Sequence, residues 1–221
     1  MVADVRLFLE TMVLAVAALL PIVNPLAIAP VFLARTPDLT PDQRRDVALR
    51  VARYGYALLL ASALIGAYVL DFFGVSIPVV QVAGGLVVSA VGWKQLWEEE
   101  VTAQTARDAA AAPTPDDLGR RAFYPLTMPL TVGPGSISVA ITLGANPSGG
   151  VRALAVTVAG HAAGLAIVAL AVYLVYAKAD LVLTRLGRTG GMIVARLSAF
   201  ILLCIGVQIV WNGVRALVAT L

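Results

Sequence analysis

Two short stretches carry the chemistry of this chain, Pro21-Ile22-Val23-Asn24-Pro25-Leu26 and Pro125-Leu126-Thr127-Met128-Pro129-Leu130-Thr131-Val132-Gly133-Pro134-Gly135-Ser136-Ile137. Proline has no N–H to give, and its ring clashes with the preceding turn. Pro21, Pro25 and Pro30 in one apolar run, and Pro125, Pro129 and Pro134 in another, therefore predict interrupted helices. A helix that stops and restarts leaves free carbonyls at its negative end and free N–H groups at its positive end. One zwitterion fits both poles. A carboxylate would sit against the N–H groups near Gly135, Ser136 and Ile137, where glycine allows close backbone approach. An ammonium group would take carbonyls near Val23 or Val132, with the Asn24 amide able to donate or accept. Hydroxyls at Thr127, Thr131, Ser136 and Ser138 offer further contacts, so the candidate binding set is Asn24, Pro25, Thr131, Gly133, Gly135, Ser136 and Ser138. Serine and threonine in apolar helices also bond to their own backbone or bring helices close, which gives these hydroxyls a purely structural alternative. Pro21, Pro30, Pro125 and Pro129 are expected to shape the breaks.

His161 is the single histidine, within Gly160-His161-Ala162-Ala163-Gly164. An ionisable group inside an apolar run is a candidate for proton coupling or for lining a pathway. The competing expectation is a neutral ring bonded to a neighbouring helix. No Asp or Glu falls deep in any apolar run, so proton relays and metal sites built from paired carboxylates are not expected. A coupled ion would be sodium, held by carbonyls and hydroxyls, or a proton at His161. The chain also lacks His-Glu-x-x-His, Gly-x-Ser-x-Gly and a cysteine pair, so enzymatic chemistry and a resident cofactor or metal are not expected. Cys204 stands alone and reads as a small packing residue.

The elements that must hold these residues are set by composition. With 60% apolar and 13% charged residues over 221 positions and a mean hydropathy of +0.89, the chain is an integral membrane protein. A spanning helix needs about 20 apolar residues, and stretches near 8–33, 47–70, 75–97, 123–145, 151–177 and 192–218 qualify. In lipid, a broken span persists only where protein or a watery cavity satisfies the freed backbone groups. Arg6, the first apolar run and Ala27-Ile28-Ala29 imitate a signal peptide. Glu10, the late Asn24-Pro25 and the recurrence of the pattern inside the chain argue for a retained span.

Net charge is +3, yet where the cations fall points away from nucleic acid. Thirteen of the 16 Lys and Arg residues follow the first, third and fifth spans, and only Arg6, Arg152 and Arg215 lie at the other end. That bias puts the odd-numbered connections in the cytoplasm and both termini outside. The chain also repeats. Asn24-Pro25 aligns with Gly133-Pro134, Gly55 with Gly160, Tyr68 with Tyr173, Gly92 with Gly206 and Trp97 with Trp211, and His161 matches Tyr56. Three spans per half force the second half to enter the membrane from the opposite side. The expected fold is all-α and polytopic, six transmembrane helices in two inverted three-helix repeats with broken first and fourth helices. Its units are 1–97, a cytoplasmic linker 98–120, and 121–221. In transporters of this plan the solute site lies near the midplane, where broken helices meet. Gln81, Gln208 and Asn212 are expected to bond between helices, and Trp93, Trp97 and Trp211 to anchor span ends at the interface. Small-residue faces such as Ala83-Gly84-Gly85 suit packing within one chain or in a homo-oligomer.

The two proline motifs, together with the basic loop after Arg35, resemble the MarC family of bacterial inner-membrane proteins, over essentially the whole chain. The resemblance implies six spans, membership of the wider transporter group that includes lysine exporters, and location in the bacterial cytoplasmic membrane. Some relatives are associated with small neutral amino acids. The expected function is thus a secondary transporter or exporter of small neutral solutes, most naturally such amino acids. The alternatives are a passive channel or a membrane scaffold that transports nothing.

Overall fold

A computed structural model describes residues 2–97, 115–145 and 150–219. Helix α1 covers Val2–Val23, α2 Pro25–Ala34, α3 Pro41–Phe72 and α4 Ile77–Trp97. The second half begins with the short α5, Pro115–Arg121, and a wide-turned segment, Ala122–Thr131. Then come α6 at Pro134–Gly144, α7 at Val151–Ala177 and α8 at Ala179–Val218. Most of the connector expected at 98–120, including Glu98-Glu99-Glu100, lies outside the described residues, and its last residues form α5.

Among the described residues five helices are long and apolar enough to cross a bilayer: Val2–Val23, Pro41–Phe72, Ile77–Trp97, Val151–Ala177 and Thr189–Val218. The pair Leu118–Thr131 and Pro134–Gly144, bent by 74° at its joint, makes a sixth if counted as one span. The protein is therefore a multi-pass helical membrane protein. α1 starts at Val2, ahead of the apolar run, and its charged residues are paired. Asp4 meets Arg152 at 2.8 Å and Arg6 meets Glu10 at 2.7 Å. α3 is entered through a capping box in which Thr40 Oγ accepts from the Gln43 N–H and Gln43 Oε1 accepts from the Thr40 N–H, with Pro41 at the first helical position. α8 bends at Gly187, whose φ of 62° suits a residue without Cβ.

Small residues decide which helices touch. α4 lies along α8, where added methyls on Gly85 and Gly92 would run into the α8 backbone and one on Gly206 into Ser89. α1 packs on α7 through Gly160 and Gly164, and α6 packs on α3, where Gly144 meets the Ala63 backbone. Gly84 lies against Ser138 of α6, so the Ala83-Gly84-Gly85 face is spent within the chain. Two expectations change. Gln208 Nε2 bonds Asn212 Oδ1 at 3.0 Å on the same helix instead of between helices, because four residues bring both amides to one exposed face. Cys204 is exposed on the outer face of α8, not packed inside.

Candidate functional site

The first break is a single residue. Asn24 adopts left-handed φ 44° and ψ 59°, a region asparagine visits more readily than most residues. Its N–H still closes α1 on the Leu20 carbonyl at 2.9 Å, and its carbonyl already accepts from Ile28 at 3.2 Å to open α2. Pro25 follows and has no N–H to return to the turn before it. Asn24 Oδ1 accepts a long 3.4 Å bond from the Ala27 N–H and caps α2. The Nδ2 group is buried and has no hydrogen-bond partner among the described residues. A buried amide donor without a partner is rare and asks for one.

The second break is longer and is built from Pro-Leu-Thr used twice. Tyr124 and Met128, each before a proline, leave helical angles, with φ of −125° and −117°. Each threonine repairs the ladder. Thr127 Oγ donates to the Ala122 carbonyl at 2.6 Å, and Thr131 Oγ donates to the Leu126 carbonyl at 2.6 Å. Val132 and Gly133 are extended, and α6 restarts at Pro134 with no side-chain cap from Gly133. Ser136 Oγ donates to the Gly133 carbonyl at 2.9 Å, and Ser138 Oγ crosses to the Val80 carbonyl of α4 at 2.9 Å. All four hydroxyls thus have protein partners. The Val88 side chain occupies the place a Cβ on Gly135 would take, so α4 packs directly on the first turn of α6.

The breaks share a cavity. Val23, next to Asn24, and Thr131 and Val132, at the second break, line one small space between Gly55 and Tyr56 of α3 and Val168 of α7. Its volume of about 10 Å³ leaves room for no more than one water. Of the candidate binding residues only Thr131 lines it; Asn24, Pro25 and Ser136 are buried off its wall, Gly133 is half-buried, and Gly135 and Ser138 are buried against α4. His161 is buried on α7 but is absent from the cavity wall, which begins one turn on at Leu165. Tyr56, its match in the repeat, does line it.

One residue escaped sequence reasoning. Tyr176 is fully buried, stacks on Phe32 of α2 with ring centroids 4.5 Å apart, and places its hydroxyl 3.0 Å from Thr131 Oγ. An aromatic near a span end reads as an interfacial anchor, so no local signal singles it out. Beyond it, Arg44 pairs with Asp180 and donates to the Thr36 and Leu39 carbonyls at 3.1 and 3.3 Å, and Arg121 pairs with Asp38 at 3.2 Å. These pairs hold the α2–α3 loop, the end of α5 and the start of α8 together at one arginine-rich end.

The family model for MarC family integral membrane proteins matches residues 9–218. A UPF0056 membrane protein of Methanocaldococcus jannaschii is 32% identical over 208 residues, covering 94% of this chain and 97% of its own. The UPF0056 inner membrane protein MarC of Escherichia coli O1:K1 is 28% identical over 210 residues, covering 94% and 95%. The protein of the same name from Citrobacter koseri is 29% identical over 211 residues, with the same coverage. No solved structure matches the chain.

Proposed function

The chain belongs to the MarC family of integral membrane proteins, and from that premise we propose that it is a secondary transporter or exporter of small neutral solutes, most naturally small neutral amino acids. It carries no catalytic role in this reading. The observation that carries it is the convergence of two broken helices on one cavity, whose wall holds Val23, the chain neighbour of the unpartnered Asn24, together with Thr131 and Val132. Walls without a charged side chain suit a solute with no net charge. Asn24 and the backbone poles around Val23, Val132 and Gly133–Ser136 would take its ends, Thr131 and Ser138 would hold the break in shape, and sodium or a proton, the latter at His161, would couple the cycle.

The packing supports the inverted repeat. Exchanging the two halves returns the same neighbours: α1 on α7 becomes the Ala122–Thr131 segment on α3, α4 on α6 becomes α8 on α2, while α4 with α8 and α3 with α7 map onto themselves. The Arg44–Asp180 pair sets the start of α3 beside the end of α7, as inversion requires. By cation bias the arginine-rich end faces the cytoplasm of a bacterial inner membrane and the termini face outward. A cavity of about 10 Å³, too small to hold a solute in this conformation, favours alternating access over a continuous pore.

In proteoliposomes, a coupled transporter accumulates a small neutral amino acid against its gradient, and a pore only relaxes the gradient. Thermal stabilisation of the purified protein by a panel of such amino acids tests the substrate class. A wild type that answers to none of them removes it.

A further inference from the structure

Between the cavity and the arginine-rich end lie two successive layers of side chains, and each layer joins the first half to the second. The inner layer is Phe32, Tyr176 and Thr131. The single hydroxyl proton of Thr131 is committed to the Leu126 carbonyl, which can only accept. Tyr176 is therefore the donor in the 3.0 Å bond to Thr131. Its ring stacks on α2 and its hydroxyl bonds the second break, so one side chain holds both half-helices. The outer layer, one turn further along α7 and α8, is Arg44–Asp180 and Arg121–Asp38. Arg44 is largely buried there and its Nε has no partner among the described residues. The far end is joined differently, by the Asp4–Arg152 pair between the starts of α1 and α7.

The geometry points to Tyr176 as the positioning residue of a gate at the arginine-rich end, which shuts the cavity while its hydroxyl holds Thr131 and its ring holds Phe32, with the Arg44 and Arg121 ion pairs as an outer latch. Opening toward that end requires α2 and the Ala122–Thr131 segment to part from Tyr176. The two breaks then move together, because they share this one tether. The gate rests on taking the cavity as the solute pathway.

Its test needs no solute. In a Cys204→Ser background, Ala52→Cys puts one thiol on the cavity wall, at a position only 6% exposed. A membrane-impermeant maleimide is applied to right-side-out and inside-out vesicles, and Asp42→Cys and Val151→Cys, at exposed positions of the two ends, identify the faces. The wall thiol should react slowly from both faces. Tyr176→Phe keeps ring and shape, and should speed labelling from the arginine-rich face alone by about five-fold, the factor one ordinary hydrogen bond moves an equilibrium. Arg44→Gln should act in the same direction, and Thr131→Ser, which keeps the hydroxyl, should stay slow. Unchanged rates in both Tyr176→Phe and Arg44→Gln, or equal acceleration from the two faces, overturn the gate. If Tyr176→Phe does not fold, Arg44→Gln is judged by the same criterion. Labelling as expected alongside a negative amino-acid panel would retire the solute assignment and leave the gate.

Discussion

Replacing Asn24 with glycine separates what this residue does for the fold from what it does for a ligand. Glycine holds φ 44° without strain. Losing asparagine as the helix cap costs only a few tenths of a kcal/mol, roughly, when glycine takes its place, and the existing cap bond is long at 3.4 Å. Against that loss, the variant removes a buried Nδ2 donor without a partner among the described residues, a burden of about 1–3 kcal/mol. The unliganded variant should therefore melt at the wild-type temperature or a few degrees above it. Asn24→Ala must keep the left-handed angle without asparagine's tolerance, at about 1–2 kcal/mol, and should melt lower. A bound amino acid at 100 times its Kd adds about 2.7 kcal/mol to the wild type. With about 2–4 °C per kcal/mol for a chain of this size, that is a shift of about 5–11 °C. Asn24→Gly should lose most of this shift. The assay is a melting curve in detergent with and without ligand. A glycine variant that keeps the full shift removes Asn24 from the site. An unliganded melting point lowered by more than about 5 °C would mean that Nδ2 has a partner in the folded protein.

Other perturbations test the packing and the breaks. Gly144→Ala places a methyl onto the Ala63 backbone of α3 and should destabilise by about 3 kcal/mol or more; the same change at Gly191, where nothing lies within 4 Å, should stabilise by about 0.5–1 kcal/mol in the same melting assay. Thr127→Val removes the donor that satisfies the buried Ala122 carbonyl and should lower stability by about 1–3 kcal/mol, whereas Thr127→Ser should largely restore it. A double-mutant cycle on Arg121 and Asp38, each about a third exposed at 31% and 32%, should give a coupling below about 1 kcal/mol that shrinks with added salt; a larger, salt-insensitive coupling would mean the pair is held out of water.

The break positions were legible because proline chemistry is local. Pro25, Pro125, Pro129 and Pro134 each delete a donor wherever the helix lies, and the interruptions fall beside them. Asn24 was legible as polar within an apolar run. What the hydroxyls bond was less so. Thr127 and Thr131 were offered to a ligand or to their own backbone, and the structure spends both on carbonyls five residues back. Gly135 was legible as a close-approach position, and only the tertiary structure shows that Val88 of α4 is what approaches it. Tyr176 gave no signal because its partners, Thr131 and Phe32, are far from it along the chain.

Composition and breaker residues on their own determined a multi-pass helical membrane protein with two interrupted helices, since both the transfer of apolar side chains into lipid and the loss of a backbone donor are properties of a short segment. Tertiary structure alone decided that the interruptions open onto one cavity, that Ser138 bonds a carbonyl 58 residues away and that Arg44 finds Asp180 across 136 residues. Such pairings depend on which helix faces meet, and in an apolar environment that choice rests on glycine-scale shape at each crossing, which no local pattern of hydropathy records.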